Sequence, residues 1–193
     1  MKNEVLILLY KRPETVFTLK DIALLFPEIN YLNLKERMNY FAKTGGIRKI
    51  RKNIYVKDNY DVLELANKLY SPSYVSLETV LGRAGITFQY YREIFSISYL
   101  SRSLSVADNN LRYRKIKAEI LLNHQGIERV NQAEAATKER AFLDAVFLYK
   151  DYHFDNLRPL DWEKVEELKT IYPSRIFNQR INDYYQIYKT DHV

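Results

Sequence analysis

The chemistry that this sequence can support is concentrated in one basic segment, Lys35 to Lys52. The segment KERMNYFAKTGGIRKIRK carries seven lysines and arginines against one acid, Glu36, so its local charge is +6. The formal net charge of the whole chain is also +6, so the remaining residues sum to zero. Positive charge confined to one short stretch is typical of a surface that binds nucleic acid. The alternative is a basic face that is only solvated.

Side chains suited to contacting DNA form two groups in and beside this segment. A helix would carry the first group: Asn33, Lys35, Arg37, Tyr40 and Lys43. A hairpin would carry the second group: Arg48, Lys49, Arg51 and Lys52. Arginine and asparagine form bidentate pairs with guanine and adenine, so we predict base or phosphate contacts from the helix. On the hairpin, Lys49, Arg51 and Lys52 are predicted to contact phosphates or enter the minor groove and so position the helix.

Residues for catalysis are sparse. The three histidines, His124, His153 and His192, are isolated in the sequence and lack the spacing of a metal site. No glycine-rich phosphate loop or nucleophile elbow is present, and the chain has no cysteine. Several acids recur at short spacing: Glu134 with Glu139, Asp151 with Asp155, and Glu163 with Glu166 and Glu167. Acids on amphipathic helices are usually solvated or capping, so we expect no enzyme activity, no metal and no cofactor.

Composition points to a folded protein of the reducing interior of the cell. The chain has 193 residues, of which 47% are hydrophobic, enough for one large domain or two small ones. The absence of cysteine fits a cytoplasmic location. The apolar run after Glu4 is short and charged at both ends, so it reads as a buried helix rather than a signal peptide or membrane span.

The N-terminal third is predicted to be a winged helix-turn-helix. Periodicity predicts a helix over residues 3–10, a second after the cap Thr18, and a third capped by Asn30 or Asn33 and ended by Gly45-Gly46. Two short strands then turn at Arg51-Lys52-Asn53. Three helices followed by a basic hairpin favour a DNA-binding domain in which the third helix reads the major groove. A small helical domain with a solvated hairpin is the alternative.

The rest of the chain is predicted to form a second domain. An amphipathic helix over residues 60–70 would connect a domain of residues 1–70 to one of residues 71–193. Ser76 is expected to cap a short helix closed by Gly82 or Gly85, before strands over residues 89–104, 111–121 and 127–136. Helices should then begin after Thr137, Asp161 and Ser174. The predicted fold class is therefore α+β, with a small, mostly antiparallel sheet and C-terminal helices.

The last predicted helix carries an apolar stripe: Phe177, Ile181, Tyr184 and Tyr188. A stripe at this spacing packs into a core or pairs two copies of the chain. A homodimer is therefore an open alternative.

Three segments follow one another along the chain: IRKIRKNIYV, then SPSYVSLETVLGRAGI, then AATKERAFLDAVF. In this order they resemble the AbiEi-type antitoxins of bacterial abortive-infection (type IV) toxin–antitoxin systems. In that family a basic turn and a tyrosine precede a "yvSleSAL..hGl" stretch, and an "A.pEKAllDll" helix comes later. The residues that match are Tyr74, Val75, Ser76, Leu77 and Glu78 on the first pattern, and Lys138, Ala141, Leu143 and Asp144 approximately on the second. The run Thr137-Lys138-Glu139-Arg140 departs from the usual Pro-Glu-Lys pattern.

The resemblance implies a two-part function. The winged helix would bind inverted repeats in the promoter of its own operon and repress transcription. The C-terminal domain would counteract a cognate toxin with a nucleotidyltransferase-like fold, without a stable complex. One recognition helix covers half of an inverted repeat, so two copies are expected on the operator. The alternative is a stand-alone transcriptional regulator whose second domain senses a ligand or a protein.

Overall fold

The computed structural model describes residues 4–190, which leaves residue 3 of the predicted first helix and His192 outside the described residues. Within that range the chain is a mixed α+β protein with two sheets. The helices are α1 Glu4–Lys11, α2 Leu19–Leu25, α3 Tyr31–Lys43, α4 Val62–Leu69, α5 Glu78–Arg83, α6 Ala118–Leu121, α7 Lys138–Leu148, α8 Trp162–Lys169 and α9 Arg175–Thr190. The strands are β1 Val16–Thr18, β2 Arg48–Arg51, β3 Ile54–Val56, β4 Ser73–Val75, β5 Glu93–Ser98, β6 Arg102–Val106, β7 Asn109–Lys115, β8 Ile127–Val130 and β9 Ala133–Ala136.

The first three helices and the small sheet form what we call the N-terminal unit, residues 4–56. Thr18 caps α2 in a capping box with Asp21, at 3.1 and 3.0 Å, and Asn30 caps α3 by accepting from the Leu32 amide at 2.9 Å. Helix α3 ends before Gly45, which has a φ of +76° that only glycine adopts without strain. The predicted helices and the hairpin are therefore confirmed as elements.

A strand that the sequence did not predict completes the small sheet. Strand β1 pairs antiparallel with β3, giving the order β1-β3-β2. It has three residues and runs directly into α2, so it is too short to show the alternation that marks a strand. The sheet and helices enclose an apolar core that includes Leu9, Leu34, Met38 and Phe41.

The second sheet has six strands in the order β6-β7-β5-β4-β9-β8. Pairs β6/β7, β5/β4 and β9/β8 are antiparallel, whereas β5/β7 and β4/β9 are parallel. The sheet is therefore larger and more mixed than the small, mostly antiparallel one predicted. Periodicity shows that a segment is a strand, but the neighbour of each strand depends on contacts far apart in sequence.

Several helix and strand boundaries predicted for residues 71–193 also differ in the structure. The stretch 89–104 contains β5 and β6, and the stretch 127–136 is a hairpin that turns at Asn131, whose φ is +54°. Ser76 does not cap α5, because Leu77 stands at the N-cap and the Ser76 hydroxyl donates to Asp144 at 2.8 Å. Gly85, with a φ of +67°, follows α5, whereas Gly82 lies inside it. The caps of α7, α8 and α9 at Thr137, Asp161 and Ser174 are confirmed.

The six-stranded sheet is covered on both faces. Side chains of Tyr74, Phe95 and Ile97 project from one face into the main core, where they meet α5, α7, α8 and α9. From the other face Leu111 and Tyr113 contact Ala66 of α4. Helix α4 also contacts the small sheet, so it packs against both sheets.

The stripe on α9 lies against the main core. Phe177 and Ile181 are buried, and the Tyr184 ring packs edge-on against Phe142 with ring centroids 5.7 Å apart. Of the two alternatives for this stripe, core packing is the one observed in the chain. Among residues 4–190 no helix combines the length and apolarity needed to cross a membrane.

Candidate nucleic-acid interface

Helix α3 buries one stripe and leaves the opposite side open. Leu34, Met38 and Phe41 lie in the core. The predicted contact residues Asn33, Tyr40 and Lys43 are exposed, and Lys35 and Arg37 are half-buried on the flanks. The exposed side therefore combines an amide, a phenol and three cationic groups, all of which can bond phosphates or base edges.

One lysine connects the hairpin to α3. The Lys49 ammonium donates to the Asn39 side-chain oxygen at 2.7 Å, and the Tyr55 hydroxyl donates to the same oxygen at 3.3 Å. Because Lys49 is on β2 and Tyr55 lies opposite it on β3, both strands are held against one point of α3. This contact holds β2 and β3 against α3, so Lys49 lies beside the exposed side of that helix.

The remaining hairpin cations divide between two sides. Arg48 neighbours Lys49 along β2, so its side chain lies on the face away from α3, with the guanidinium 6.0 Å from the centre of the Tyr60 ring. Arg51 and Lys52 are exposed at the turn and form no ion pair with any residue between 4 and 190. Asn53 completes the turn with a φ of +62°. Arg51 and Lys52 are thus the free cations of the hairpin, whereas Arg48 is turned away from α3.

A groove of about 850 Å³ opens beside the hairpin turn. Lys20, Tyr31 and Lys52 line it from the N-terminal unit. Tyr99, His124 and Arg129 line it from the six-stranded sheet and its loops. No local motif identifies these C-terminal residues, because they are brought to the hairpin only by the packing of the two halves.

Most of the residues that carry the family resemblance are buried, whereas Lys138 is half-buried at the start of α7. Asp144 on α7 accepts hydrogen bonds from the hydroxyls of Tyr172 at 2.7 Å, Ser76 at 2.8 Å and Tyr74 at 3.2 Å. Arg140 lies one turn before Asp144, with its Nε 3.6 Å from the carboxylate. Burial raises the pKa of Asp144, and Arg140 and the three hydroxyl donors oppose that shift.

Arg140 is itself surrounded by acceptors. Its guanidinium donates to the backbone oxygens of Gln125 at 2.8 Å and Ile120 at 2.7 Å and to the Tyr74 hydroxyl at 3.2 Å. The side chains of Arg140 and Asp144 are completely buried. The network therefore ties β4, α7 and the segment after α8 together, and its role is to hold the fold rather than to contact a partner.

Two of the acids noted in the sequence accept hydrogen bonds from backbone amides. Glu139 accepts from the Asp161 amide at 3.2 Å, and Asp155 accepts from the Phe88 amide at 2.7 Å. Asp161 in turn caps α8. In the part of the chain that the structure describes, no three histidines or acids converge in a way that could hold a metal ion.

Comparison with known proteins does not assign the chain to a family. No protein-family model matches the chain, and no curated protein matches it significantly.

Proposed function

We propose that this protein is a sequence-specific DNA-binding regulator and that residues 1–70 act as a winged helix-turn-helix. The observation that carries the proposal is the position of the charge. All of the excess positive charge lies between Lys35 and Lys52, on a helix and a hairpin that share the Lys49–Asn39 hydrogen bond. The proposal assigns no catalytic step to the chain.

In this proposal α3 enters the major groove and the hairpin lies along the backbone. Asn33 and Arg37 would contact base edges, because their planar groups pair with adenine and guanine. Arg51 and Lys52 would contact phosphates, because they are exposed and free of internal ion pairs. Lys35, Tyr40 and Lys43 would add contacts along the same groove.

The test is binding of the full chain to the DNA upstream of its own gene, followed by fluorescence anisotropy over a range of salt concentrations. We expect tighter binding to that DNA than to random duplex of equal length, with affinity falling steeply as salt rises. Equal affinity for both duplexes would contradict a specific regulator. No binding at low salt would contradict any role on DNA.

We further propose that the regulator is the antitoxin of a type IV toxin–antitoxin pair. Support comes from the resemblance and from the meeting of its two separate segments at Asp144, which accepts from Tyr74 and Ser76. Since these residues are buried, any direct contact with a toxin would involve other, exposed side chains.

The neighbouring reading frame tests the antitoxin proposal. We expect a co-transcribed gene for a nucleotidyltransferase-like protein that stops growth when expressed alone and is harmless when this chain is co-expressed. If co-expression gives no protection, the stand-alone regulator with a sensing C-terminal domain is the better description. A variant that lacks DNA binding separates protection from repression.

A further inference from the structure

The side of α3 that faces directly away from the core carries two side chains that the charge pattern does not single out. At about 100° per residue, the direction opposite to the buried stripe of α3 falls between Leu32 and Glu36. Both residues are exposed, and Leu32 is 65% exposed. They are four positions apart in the sequence, so they lie one turn from each other along the outermost line of the helix.

This outermost line lies beside the hairpin. Asn39, three positions after Glu36, is the residue whose side chain accepts from Lys49 of β2 at 2.7 Å. Residues three apart are neighbours on a helix surface, so Glu36 is next to the point at which the hairpin meets α3. Leu32 lies one turn closer to the start of α3, the end with which a recognition helix contacts base edges. Leu32 and Glu36 are therefore at the centre of the surface that the proposed function places on DNA.

Glu36 differs in charge from everything around it. It is the one acid in the basic segment Lys35 to Lys52, and within residues 4–190 it forms no ion pair with a lysine or arginine. Because DNA phosphates repel a carboxylate, Glu36 weakens the attraction of this segment for DNA of every sequence. A carboxylate in this position favours binding only where a base presents a hydrogen-bond donor to it.

The bases differ in what they present to these two side chains in the major groove. Cytosine presents an amino group that donates, whereas guanine presents two acceptors and thymine presents one acceptor and a methyl group. A carboxylate therefore accepts from cytosine and is repelled by the acceptors of guanine. The methyl groups of a leucine pack against the methyl group of thymine, which the other bases lack.

We propose that Leu32 and Glu36 select the bases at the centre of the binding site. Glu36 accepts a hydrogen bond from the amino group of a cytosine, and Leu32 packs against the methyl group of a thymine at a neighbouring position. This inference rests on the proposed DNA-binding function and goes beyond it by naming two bases and the side chains that read them. Asn33 and Arg37, assigned above to base edges, lie farther toward the sides of α3.

Glu36→Gln tests the carboxylate, because it keeps the shape of the side chain and removes the charge. Anisotropy titrations of the full chain compare the DNA upstream of its own gene with random duplex of equal length. The variant should bind random duplex more tightly than the parent does, since a repulsion is lost. It should bind the upstream DNA less tightly, so the ratio of the two affinities should fall by roughly fivefold or more. Glu167→Gln, at an exposed position on α8, is the charge-matched control and should leave that ratio unchanged.

The outcomes separate a failure of this readout from a failure of the proposed function. If the parent prefers its upstream DNA and Glu36→Gln binds both duplexes more tightly by the same factor, Glu36 is only a solvated charge and the inference is wrong. If the parent binds both duplexes equally, the DNA-binding regulator is itself wrong and the inference fails with it. Single base-pair changes in the upstream DNA then locate the base: replacing one C·G pair should weaken binding of the parent much more than binding of Glu36→Gln.

Replacing thymine by uracil throughout the upstream DNA tests Leu32, because uracil lacks only the methyl group. The parent should bind the thymine duplex several-fold more tightly than the uracil duplex, and Leu32→Ala should reduce that preference. The substitution keeps the cap of α3, since Asn30 accepts from the backbone amide of Leu32. Leu122→Ala, which shortens an exposed leucine outside α3, is the control and should keep the preference of the parent. If Leu32→Ala keeps it as well, Leu32 does not contact thymine.

Discussion

The carboxylate of Asp144 accepts hydrogen bonds from the hydroxyls of Tyr74, Ser76 and Tyr172. These donors are separated from it by 70, 68 and 28 positions in the sequence. Such contacts fix the position of α7 relative to β4 and to the end of α8. Buried hydrogen bonds to a charged acceptor are worth more than neutral ones, because the carboxylate cannot recover its solvation inside the protein. Asp144 and its donors should therefore dominate the stability of the C-terminal half.

Tyr172→Phe tests this network at a single atom. The substitution keeps the ring and removes only the hydroxyl that donates to Asp144 at 2.7 Å. We expect a loss of roughly 1.5–3 kcal/mol in the free energy of unfolding, measured by urea denaturation. Tyr90→Phe, on an exposed ring, is the control and should stay within about 0.5 kcal/mol of the parent. Equal effects of the two variants would mean that Asp144 does not depend on Tyr172.

Glu64 is a second buried acid, and it makes stability depend on pH. Its Oε2 accepts from the Thr15 amide at 2.8 Å and the Thr15 hydroxyl at 2.6 Å, while Oε1 has no partner among the described residues. Burial raises the pKa of Glu64, and the Thr15 hydrogen bonds only partly oppose this. The folded state therefore holds the proton more tightly than the unfolded state does.

Glu64→Gln should reveal that pH dependence. Since the folded-state pKa is raised, the contribution of Glu64 to stability is complete below about pH 4.3, the ordinary glutamate value, and is lost as pH rises through the folded-state pKa. Urea denaturation between about pH 4 and 7 should show the parent losing stability relative to Glu64→Gln as pH rises. Glu128→Gln, at an exposed position, is the control for the loss of one surface carboxylate. A constant difference for Glu64→Gln would show that burial does not perturb this acid.

At the scale of elements, the hairpin and α3 are expected to contribute differently to DNA binding. Replacing Arg51 and Lys52 with alanine should weaken binding to all DNA and reduce the salt slope by up to about one unit per lost phosphate contact. Anisotropy titrations at several salt concentrations measure both effects. Lys115 and Lys117 are also exposed, so their double alanine variant is the charge-matched control. An unchanged slope for the hairpin variant would rule out its role on the backbone.

The helix should govern the choice of sequence. Asn33→Ala and Arg37→Ala are each expected to cost about 1–3 kcal/mol on the cognate site and much less on random duplex, because they remove bonds to base edges. Competition titrations with the two DNAs measure the ratio. A uniform loss on both would reassign these residues to phosphate contacts.

At the scale of the whole molecule, the N-terminal unit is held against the large sheet. Val16, Ile54 and Val56 of the small sheet pack with Leu65 of α4 and Val106 of β6 in one buried cluster. The hairpin is therefore braced by the C-terminal half, so a change in that half can alter how the basic surface is presented. This packing gives a small molecule or protein that binds the C-terminal half a physical route to the basic surface.

Each chain presents one α3, so an inverted repeat should hold two copies. We expect a mass of two chains per operator duplex, measured by analytical ultracentrifugation, and one chain on a duplex with a single half-site. Two chains on the half-site duplex would instead indicate a dimer that exists before DNA is bound.

Local sequence determined much of this protein. Thr18, Thr137 and Asp161 cap the helices they were predicted to cap, since a cap is a bond between residues two or three apart. Of the two candidates for α3, Asn30 and Asn33, the structure selects Asn30. The position of the charge also follows from the sequence alone, because formal charge does not depend on the fold. The winged-helix role and the DNA contacts remain predictions.

Only the tertiary structure decided the rest. Ser76 has the sequence context of a cap but donates to Asp144, and β4 lies parallel to a strand that comes about 60 residues later. Lys49 binds Asn39, whereas Arg48 beside it faces the other way. Pairings of this kind are selected by burial and by hydrogen bonds between segments far apart in the sequence. A local sequence pattern therefore does not indicate which segment will be the partner.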